Sequence, residues 1–305
     1  MPDLLLIVNP RSANGSTGRR WSAFEGRLRQ LLPPFDVAFT EGPNHATAIA
    51  REAADRYGCV ALVGGDGTVN EVANGLIADD RPLRPDLPLG VIPRGTGADF
   101  VRTLGIPHSL EGAAERLAAG EVREIDVGKV RYRTPQGTEA VRYFLNEAEI
   151  GFGAASSDRV NRSSKMLGGR LSFLRGILIT ALVYRSQWVS LSLDDAPAET
   201  TLLNNVWLAN GQYSGGGIRM APRARLDDGL LDVVRIDHVG FLKQFALLPK
   251  LRSGAFVDLP QVSYLTARRI EAESPTPVLV EVEGEAIGTL PATFELIDER
   301  LKVIA

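Results

Sequence analysis

Short apolar segments alternate with helix-like segments over roughly the first 120 residues. Residues 4–8, 60–63 and 89–92 are continuous apolar runs, and residues 35–39 alternate between apolar and polar positions. Uninterrupted apolar runs of this length are typical of strands buried on both faces. Between them, spacing and composition predict helices over residues 19–32, 46–57 and 69–77. This alternation predicts an α/β domain with a parallel sheet, whose strand-end loops share one ligand-binding edge.

The pattern changes after Asp126. Alternating or short apolar segments separated by turn signals predict seven further strands, at residues 129–133, 142–145, 189–193, 205–209, 230–236, 261–264 and 278–283. Helices are predicted at 171–184 and 239–251. We therefore expect a second, antiparallel β-rich domain, with the boundary between residues 122 and 128. From its pattern alone, the tail at 294–304 could pack on either domain.

Composition and charge narrow the class of protein. The chain has 305 residues, 44% of them hydrophobic, and a formal net charge of -3. This charge excludes nucleic-acid binding driven by the charge of the whole protein and leaves a local basic patch open. The single cysteine, Cys59, excludes a disulfide within the chain and fits a reducing compartment. The longest apolar stretch, 177–184, is shorter than the ~20 residues that span a bilayer. A cytoplasmic protein without a transmembrane segment or signal peptide is expected.

The most informative motif is the glycine loop, residues 64–68, with the sequence Gly-Gly-Asp-Gly-Thr between a predicted strand and a predicted helix. Glycines allow the backbone to approach a ligand closely, and a helix N-terminus attracts anions. Asp66 beside a phosphate site would need a cation or would handle a proton. The motif is neither a Walker A loop nor a dinucleotide fingerprint. A tight turn in which Asp66 or Thr68 caps the helix remains the alternative.

Two further loops follow strands that we expect at the same edge. The second loop, residues 93–99, contains Gly95, Thr96 and Gly97 and ends in Asp99, which could cap the next helix or hold a reacting hydroxyl. The first loop, residues 9–15, begins with Asn9-Pro10 and is rich in small polar residues. Two glycine loops at neighbouring strand ends can clamp one nucleotide. Each of these loops, taken alone, is equally compatible with an ordinary helix cap.

In combination and in this order, the three loops resemble the diacylglycerol kinase catalytic family, which includes bacterial lipid kinases and sphingosine and ceramide kinases. The resemblance continues through nearly the whole chain. Its later segments are 146–153 (NEAEIGFG), 210–217 (NGQYSGGG), 227–231 (DDGLL) and 283–285 (EGE). The last resembles the family's acidic motif, which usually reads Asp-Gly-Glu.

The resemblance implies a fold, a site and a reaction. It implies an N-terminal α/β nucleotide-binding domain (1–125, to which a tail from 290 to 305 returns), a C-terminal antiparallel β-sandwich-like lipid-substrate domain (126–289), and an active site between them. The implied ATP site consists of Asn9, Thr40, Gly64, Gly65, Asp66, Gly67, Thr68, Asn70, Gly95 and Thr96. Glu285 would be the proton acceptor, with Asp66 as a second catalytic residue and Asp99 at the substrate. Mg²⁺ would be held by Asp228 and by the backbone carbonyls of Arg225 and Leu230.

The chain departs from the family pattern at several positions. Ala98 stands where the second loop usually has asparagine, and Glu283 replaces the usual aspartate of the acidic motif. Arg11 and Ala13 interrupt the first loop. These changes bear on substrate choice and rate more than on fold.

The expected function is transfer of the γ-phosphoryl group of ATP, with Mg²⁺, to a lipid hydroxyl at a membrane surface. The alternatives are an NAD-kinase-like enzyme, because that related family shares the Gly-Gly-Asp-Gly loop, and a catalytically weak nucleotide-binding regulator. A nucleic-acid partner is not expected, and a homodimer is left open. The basic segment 161–170 and the apolar helix after it are a candidate membrane contact. A basic loop with a core helix is the alternative interpretation of that region.

Overall fold

A computed structural model describes residues 3–95, 97–162, 169–238 and 250–305. Its contacts divide the chain into two compact units. The first unit comprises Met1–Val127 together with Ile297–Ala305, and the second comprises Gly128–Leu296. No helix among the described residues is long and apolar enough to span a membrane.

The first unit is built on a six-stranded sheet. Its strands are β1 (Leu4–Val8), β2 (Phe35–Phe39), β3 (Cys59–Gly64), β6 (Leu89–Pro93), β7 (Val122–Ile125) and β18 (Leu301–Ile304). The spatial order is β2-β1-β3-β6-β18-β7, and every neighbouring pair is parallel except β18 with β7. β1 and β6 are buried along their whole length, because both faces of the sheet are covered. The C-terminal strand β18 therefore completes the sheet of the N-terminal unit.

The helices that connect these strands are α1 (Ser16–Arg19), α2 (Trp21–Leu31), α3 (His45–Ala53), α4 (Asp66–Leu76), α5 (Asp99–Leu104) and α6 (Leu110–Ala119). A two-residue hairpin, β4 (Ile77–Ala78) with β5 (Arg81–Pro82), follows α4. Local chemistry sets several of the helix ends. Gly105, at φ 75°, ends α5, and the Ser109 side chain caps α6 by accepting a hydrogen bond from the Gly112 N–H at 3.2 Å.

The second unit is a ten-stranded antiparallel sheet. Its strands are β8 (Gly128–Arg133), β9 (Glu139–Phe144), β10 (Glu147–Gly151), β11 (Gln187–Leu193), β12 (Glu199–Ala209), β13 (Leu231–Asp237), β14 (Val262–Ala267), β15 (Arg269–Glu273), β16 (Leu279–Val282) and β17 (Glu285–Leu296). β10 pairs with both β16 and β12, which closes the path β10-β16-β17-β15-β11-β12 into a ring. Inward-facing apolar side chains such as Val130, Phe144, Ile150, Val206 and Phe294 form one buried cluster.

In the described part of the second unit, the helices α7 (Phe152–Arg162) and α8 (Gly169–Val183) interrupt this sheet in sequence, and a 3-10 turn covers Ala255–Asp258. α7 packs against β10, β12, β16 and β17. The face of the sheet beneath α7 is therefore shielded from solvent.

The predicted fold class is confirmed: an α/β unit with a parallel sheet is followed by an antiparallel β-rich unit. Several element bounds differ from the predicted ones. α4 begins at Asp66 rather than at residue 69, so most of the glycine loop is the first helical turn. β17 continues through residue 290, where the tail was predicted to begin. Most of the helix predicted at 239–251 lies outside the described residues.

Candidate active site

Three loops of the first unit meet at the carboxyl edge of its parallel sheet. Asn9 follows β1, Thr40 follows β2, and Gly64 ends β3. The Asn9 N–H donates to the Val63 carbonyl at 3.0 Å, and the Thr40 N–H donates to the Val8 carbonyl at 2.9 Å. The ladder bonds thus extend past the strand ends and fix where each loop begins.

The glycine loop and the second loop touch through their backbones. A methyl group added to Gly95 would lie 2.8 Å from the Gly65 Cα, which is closer than real contacts allow. The Arg94 N–H donates to the Gly64 carbonyl at 2.6 Å in the same place. Only glycine at these positions lets the two chains approach so closely. The expectation that the two loops are neighbours is met in this arrangement.

Asn9 connects the first loop to the glycine loop. Its Nδ2 donates to the Thr68 Oγ1 at 2.9 Å, and its Oδ1 accepts from the Arg11 N–H at 3.0 Å. The Thr68 N–H in turn donates to the Gly65 carbonyl at 2.9 Å. Asn9 and Thr68 therefore hold the N-terminus of α4 against the end of β1.

The Asp66 carboxylate anchors the second loop. Its Oδ2 accepts from the Ala98 N–H at 2.7 Å. Burial raises the pKa of Asp66 above its ordinary value, and backbone N–H groups, including those of Ala98, Phe100 and Asp99, partly offset this rise. The carboxylate thus caps the start of α5 from the start of α4, which is a structural task in addition to the predicted catalytic one.

The other predicted residues of this edge are also at well-defined places. Asp99 is the first residue of α5 and is buried, and Gly97 lies beside the carboxylates of both Asp66 and Asp99. Asn70 is buried within α4. Thr96 lies outside the described residues.

A pair of arginines near these loops was not predicted. The guanidinium of Arg94 lies over the ring of Phe24 at 4.6 Å, and that of Arg20 lies 5.1 Å from the same ring. Burial, and then the nearby Arg20 charge, lower the pKa of Arg94. Two close guanidinium groups beside a glycine loop attract an anion such as a phosphate. The i, i+4 spacing of Arg20 and Phe24 in the chain was the only signal in the sequence.

In the second unit, the acidic motif forms a tight turn before β17. Glu283 and Gly284 have positive φ values of 52° and 86°. Glu283 Oε1 accepts from the N–H groups of Leu145 and Asn146, both at 2.8 Å. The turn is thereby attached to the chain that enters β10.

Glu285 is the first residue of β17, and its side chain is 53% exposed. Its Oε2 accepts from Arg142 Nη2 at 2.8 Å. The carboxylate is therefore accessible and held by Arg142, which suits a group that takes a proton from a bound hydroxyl.

The predicted metal residues lie in the turn before β13. Asp228 Oδ1 accepts from the Leu230 N–H at 3.2 Å, Gly229 has φ 75°, and Arg225 pairs with Asp227 at 3.4 Å. One exposed carboxylate with nearby backbone carbonyls is a donor set that suits Mg²⁺, which keeps several waters. The residues present thus fit the ion, although the same hydrogen bond is also that of an ordinary turn.

A buried aspartate lies behind this turn. Burial, partly offset by the hydrogen bond with Tyr264 and reinforced by the Asp228 charge, raises the pKa of Asp232 to about 6. This part of the chain therefore holds a buried carboxyl group, that of Asp232, in addition to the three predicted metal residues.

Comparison with known proteins covers both units. The model of the diacylglycerol kinase catalytic domain matches residues 3–130, and that of the YegS C-terminal NAD kinase beta sandwich-like domain matches residues 146–305. A diacylglycerol kinase of Bacillus subtilis is 30% identical over 311 residues, covering 98% of this chain and 95% of the relative. The chain belongs to the diacylglycerol kinase family. The family predicted from the motifs is confirmed, and the protein is a lipid kinase.

Other members of the diacylglycerol kinase family agree with this placement. A Chromohalobacter salexigens protein named "Probable lipid kinase YegS-like" is 32% identical over 290 residues, covering 93% of this chain and 86% of its own. A solved structure of a diacylglycerol kinase from Bacillus anthracis aligns over 99% of this chain and 96% of its own, with a TM-score of 0.72. At 24% identity it supports the fold.

Proposed function

We propose that this lipid kinase transfers the γ-phosphoryl group of ATP to the hydroxyl of a diacylglycerol-like lipid. The observation that carries the proposal is the backbone contact between Gly65 and Gly95 at the N-terminus of α4. Because both contacting residues are glycines, no side chain covers the backbone there, and backbone N–H groups and the helix N-terminus can bind phosphate oxygens. The guanidinium groups of Arg94 and Arg20 add positive charge for the triphosphate.

Glu285 is proposed as the group that accepts the proton of the lipid hydroxyl. Phosphoryl transfer requires positioning, neutralisation of charge and removal of that proton. An exposed carboxylate that Arg142 orients suits the last of these tasks. Mg²⁺ would supply charge neutralisation, and Asp228 with the carbonyls of Arg225 and Leu230 would hold one such ion. Asp66 and Asp99 would order the second loop and face the reacting groups.

The test is a transfer assay with the purified full chain. ATP labelled at the γ-phosphate and Mg²⁺ are incubated with mixed micelles of diacylglycerol, sphingosine, ceramide or undecaprenol, and separately with NAD. We expect labelled phosphatidic acid with diacylglycerol. Label that appears only in NAD would establish the NAD-kinase-like alternative, and no label in any acceptor would favour a regulatory protein.

Two glutamate variants sharpen the test. Glu285→Gln should lower the rate by about 10²–10⁴-fold, the usual contribution of general base catalysis. Glu199 is a matched control, because it is similarly exposed and pairs with Arg235 at 2.8 Å in the same unit. Glu199→Gln should leave the rate unchanged. Near-normal activity of Glu285→Gln would remove Glu285 from the proposed role.

A further inference from the structure

Three glutamates of the second unit form a buried cluster beneath α7. Glu147 and Glu149 alternate along β10, and the register places Glu281 of β16 directly opposite Glu149. All three are at most 6% exposed. One carboxylate oxygen of each lies within 4.8 Å of those of the other two. Side chains two residues apart on a strand share a face, so this cluster is built into the sheet.

Two of these glutamates, Glu149 and Glu281, are carboxylates buried beside other carboxylates. Burial, and then the Glu147 charge, raise the pKa of Glu149 well above its ordinary value. For Glu281 the causes are burial and then the Glu149 charge. Among the described residues, neither Glu149 nor Glu281 has a lysine or arginine within ion-pair distance. The Gly284 N–H donates to Glu281, which offsets its burial only in part. Buried carboxylates without cations are costly unless they bind protons or a metal.

A second observation points to a ligand at the same place. The β10–β12 register puts Asn205 opposite Gly151, on the face that carries Glu149, and Asn205 is 1% exposed. Its Oδ1 accepts from the Gly153 N–H at 2.8 Å, and the Glu149 carboxylate packs against the same glycine. The other end of that amide, Nδ2, is buried and has no hydrogen-bond partner among the described residues.

The buried hydroxyl group of Ser156 is a further indication of a ligand. Ser156 lies three residues after Gly153 on α7, so both share the helix face that covers the glutamates. It is 6% exposed, and its Oγ has no hydrogen-bond partner in the part of the chain that the structure describes. Buried polar groups are nearly always paired, so an unpaired amide next to Glu149 and an unpaired hydroxyl on the helix that packs over β10 and β16 indicate a polar ligand.

We propose that Glu147, Glu149 and Glu281 bind one divalent cation, with Ser156 as a further oxygen donor. Carboxylate and hydroxyl oxygens select hard ions such as Mg²⁺, Ca²⁺ or Mn²⁺. Oxygens bound to one such ion are at most about 4–5 Å apart, twice the metal–oxygen distance, and the three carboxylate oxygens lie within 4.8 Å of one another. Asn205 Nδ2 would donate to a water on the ion. This site is separate from the turn at Asp228 and does not depend on the proposed function.

The proposal assigns the ion a structural task. Glu281 is also the acceptor for Gly284, in the turn that carries Glu285. A cation would connect β10, β16 and α7 beneath that turn. The ion would thus stabilise the turn of the acidic motif from below, without contacting the substrate.

Mn²⁺ binding to the full chain tests the proposal. The protein is stripped with EDTA, and free Mn²⁺ is measured by electron paramagnetic resonance during titration to about 1 mM, the weak end of carboxylate sites. Asp228→Asn removes the other candidate site and is the background. We expect this variant to bind one Mn²⁺, and the double variant Asp228→Asn with Glu149→Gln to bind none. If the single variant Asp228→Asn binds no Mn²⁺, the proposal is overturned, and protonation of the glutamates would explain how they are buried.

Folding of the variants is controlled in the same samples. Glu149→Gln is nearly isosteric, and circular dichroism checks its fold. Mn²⁺ should raise the Tm of Asp228→Asn and leave that of the double variant unchanged. If Glu149→Gln fails to fold, Ser156→Ala is used and should weaken Mn²⁺ binding several-fold. Unchanged affinity in every cluster variant that folds would contradict the proposal.

Discussion

Asp66 and Glu285 are both expected to act in catalysis, yet their surroundings differ. The Asp66 carboxylate is buried among backbone N–H groups at the start of α5, whereas Glu285 is exposed and pairs with Arg142. Substitution of Asp66 therefore leaves buried donors such as the Ala98 N–H without a full acceptor. Substitution of Glu285 by glutamine leaves Arg142 with an amide oxygen in place of the carboxylate, at a position open to water.

This contrast predicts different stability effects for two inactivating changes. Asp66→Asn should lower activity and also destabilise the protein by about 1–3 kcal/mol, because an amide accepts fewer bonds than a carboxylate. Glu285→Gln should lower activity with an unchanged Tm. Thermal unfolding and the transfer assay on the same preparations check both. An unchanged Tm for Asp66→Asn would mean that its hydrogen bonds to α5 contribute little to stability.

The departures from the family motifs have a backbone component that the sequence does not reveal. Ala98 has φ 55° and Glu283 has φ 52°, the left-handed region that asparagine and aspartate tolerate better. Their usual counterparts in the family are those two residue types. The motif comparison identified both positions, but only the backbone explains why the usual residues suit them. The task of Glu283, accepting from Leu145 and Asn146, also depends on tertiary contacts.

At the scale of elements, the contact between the glycine loop and the second loop yields a steric prediction. Gly95→Ala would place a methyl group 2.8 Å from the Gly65 Cα, so one loop must shift. Weaker ATP binding and a lower Tm are expected. Gly26→Ala in α2 is the control, because a methyl group there meets nothing within 4 Å and should stabilise the helix by about 0.5–1 kcal/mol.

Calorimetric titration with ATP and thermal unfolding of both glycine variants would measure these effects. If Gly95→Ala binds ATP as tightly as the wild type, the close approach of the two loops is not needed for phosphate binding. If Gly26→Ala is also destabilised, the lower Tm of Gly95→Ala cannot be attributed to the contact between the two loops.

Predictability also differs between elements. β1, β3 and β6 of the first unit were predicted because burial on both faces makes them continuous apolar runs, whereas β7 and β18 were not predicted as strands. β10 was missed because Glu147 and Glu149 interrupt its apolar pattern although both are buried. α4 was predicted to start too late, since two glycines near its beginning lower its helix propensity. The ring of strands in the second unit depends on long-range pairing of β10, which no local pattern reports.

At the scale of the whole molecule, a lipid kinase must reach a substrate that lies in a bilayer. Much of the basic segment proposed from sequence lies outside the described residues. The described end of α8 exposes large apolar side chains, with Leu182 at 58% and Val183 at 54%, and Trp188 on β11 is 55% exposed. Exposed Arg185 lies between them in the chain. Apolar groups with a nearby cation are typical of surfaces that enter the headgroup region of anionic lipid.

If the end of α8 enters the bilayer surface, polar substitution there should weaken membrane binding. Leu182→Ser together with Val183→Ser should reduce sedimentation with phosphatidylglycerol vesicles by about tenfold or more, because each side chain that leaves lipid costs roughly 1 kcal/mol or more. Val141→Ser with Leu265→Ser is the matched control, since both residues are exposed apolar side chains on strands elsewhere in the unit, at 45% and 44%. The control should bind vesicles normally. Equal vesicle binding by both double variants would assign membrane contact to another surface. Phosphoryl transfer to a short-chain, micellar lipid should be unaffected in both double variants.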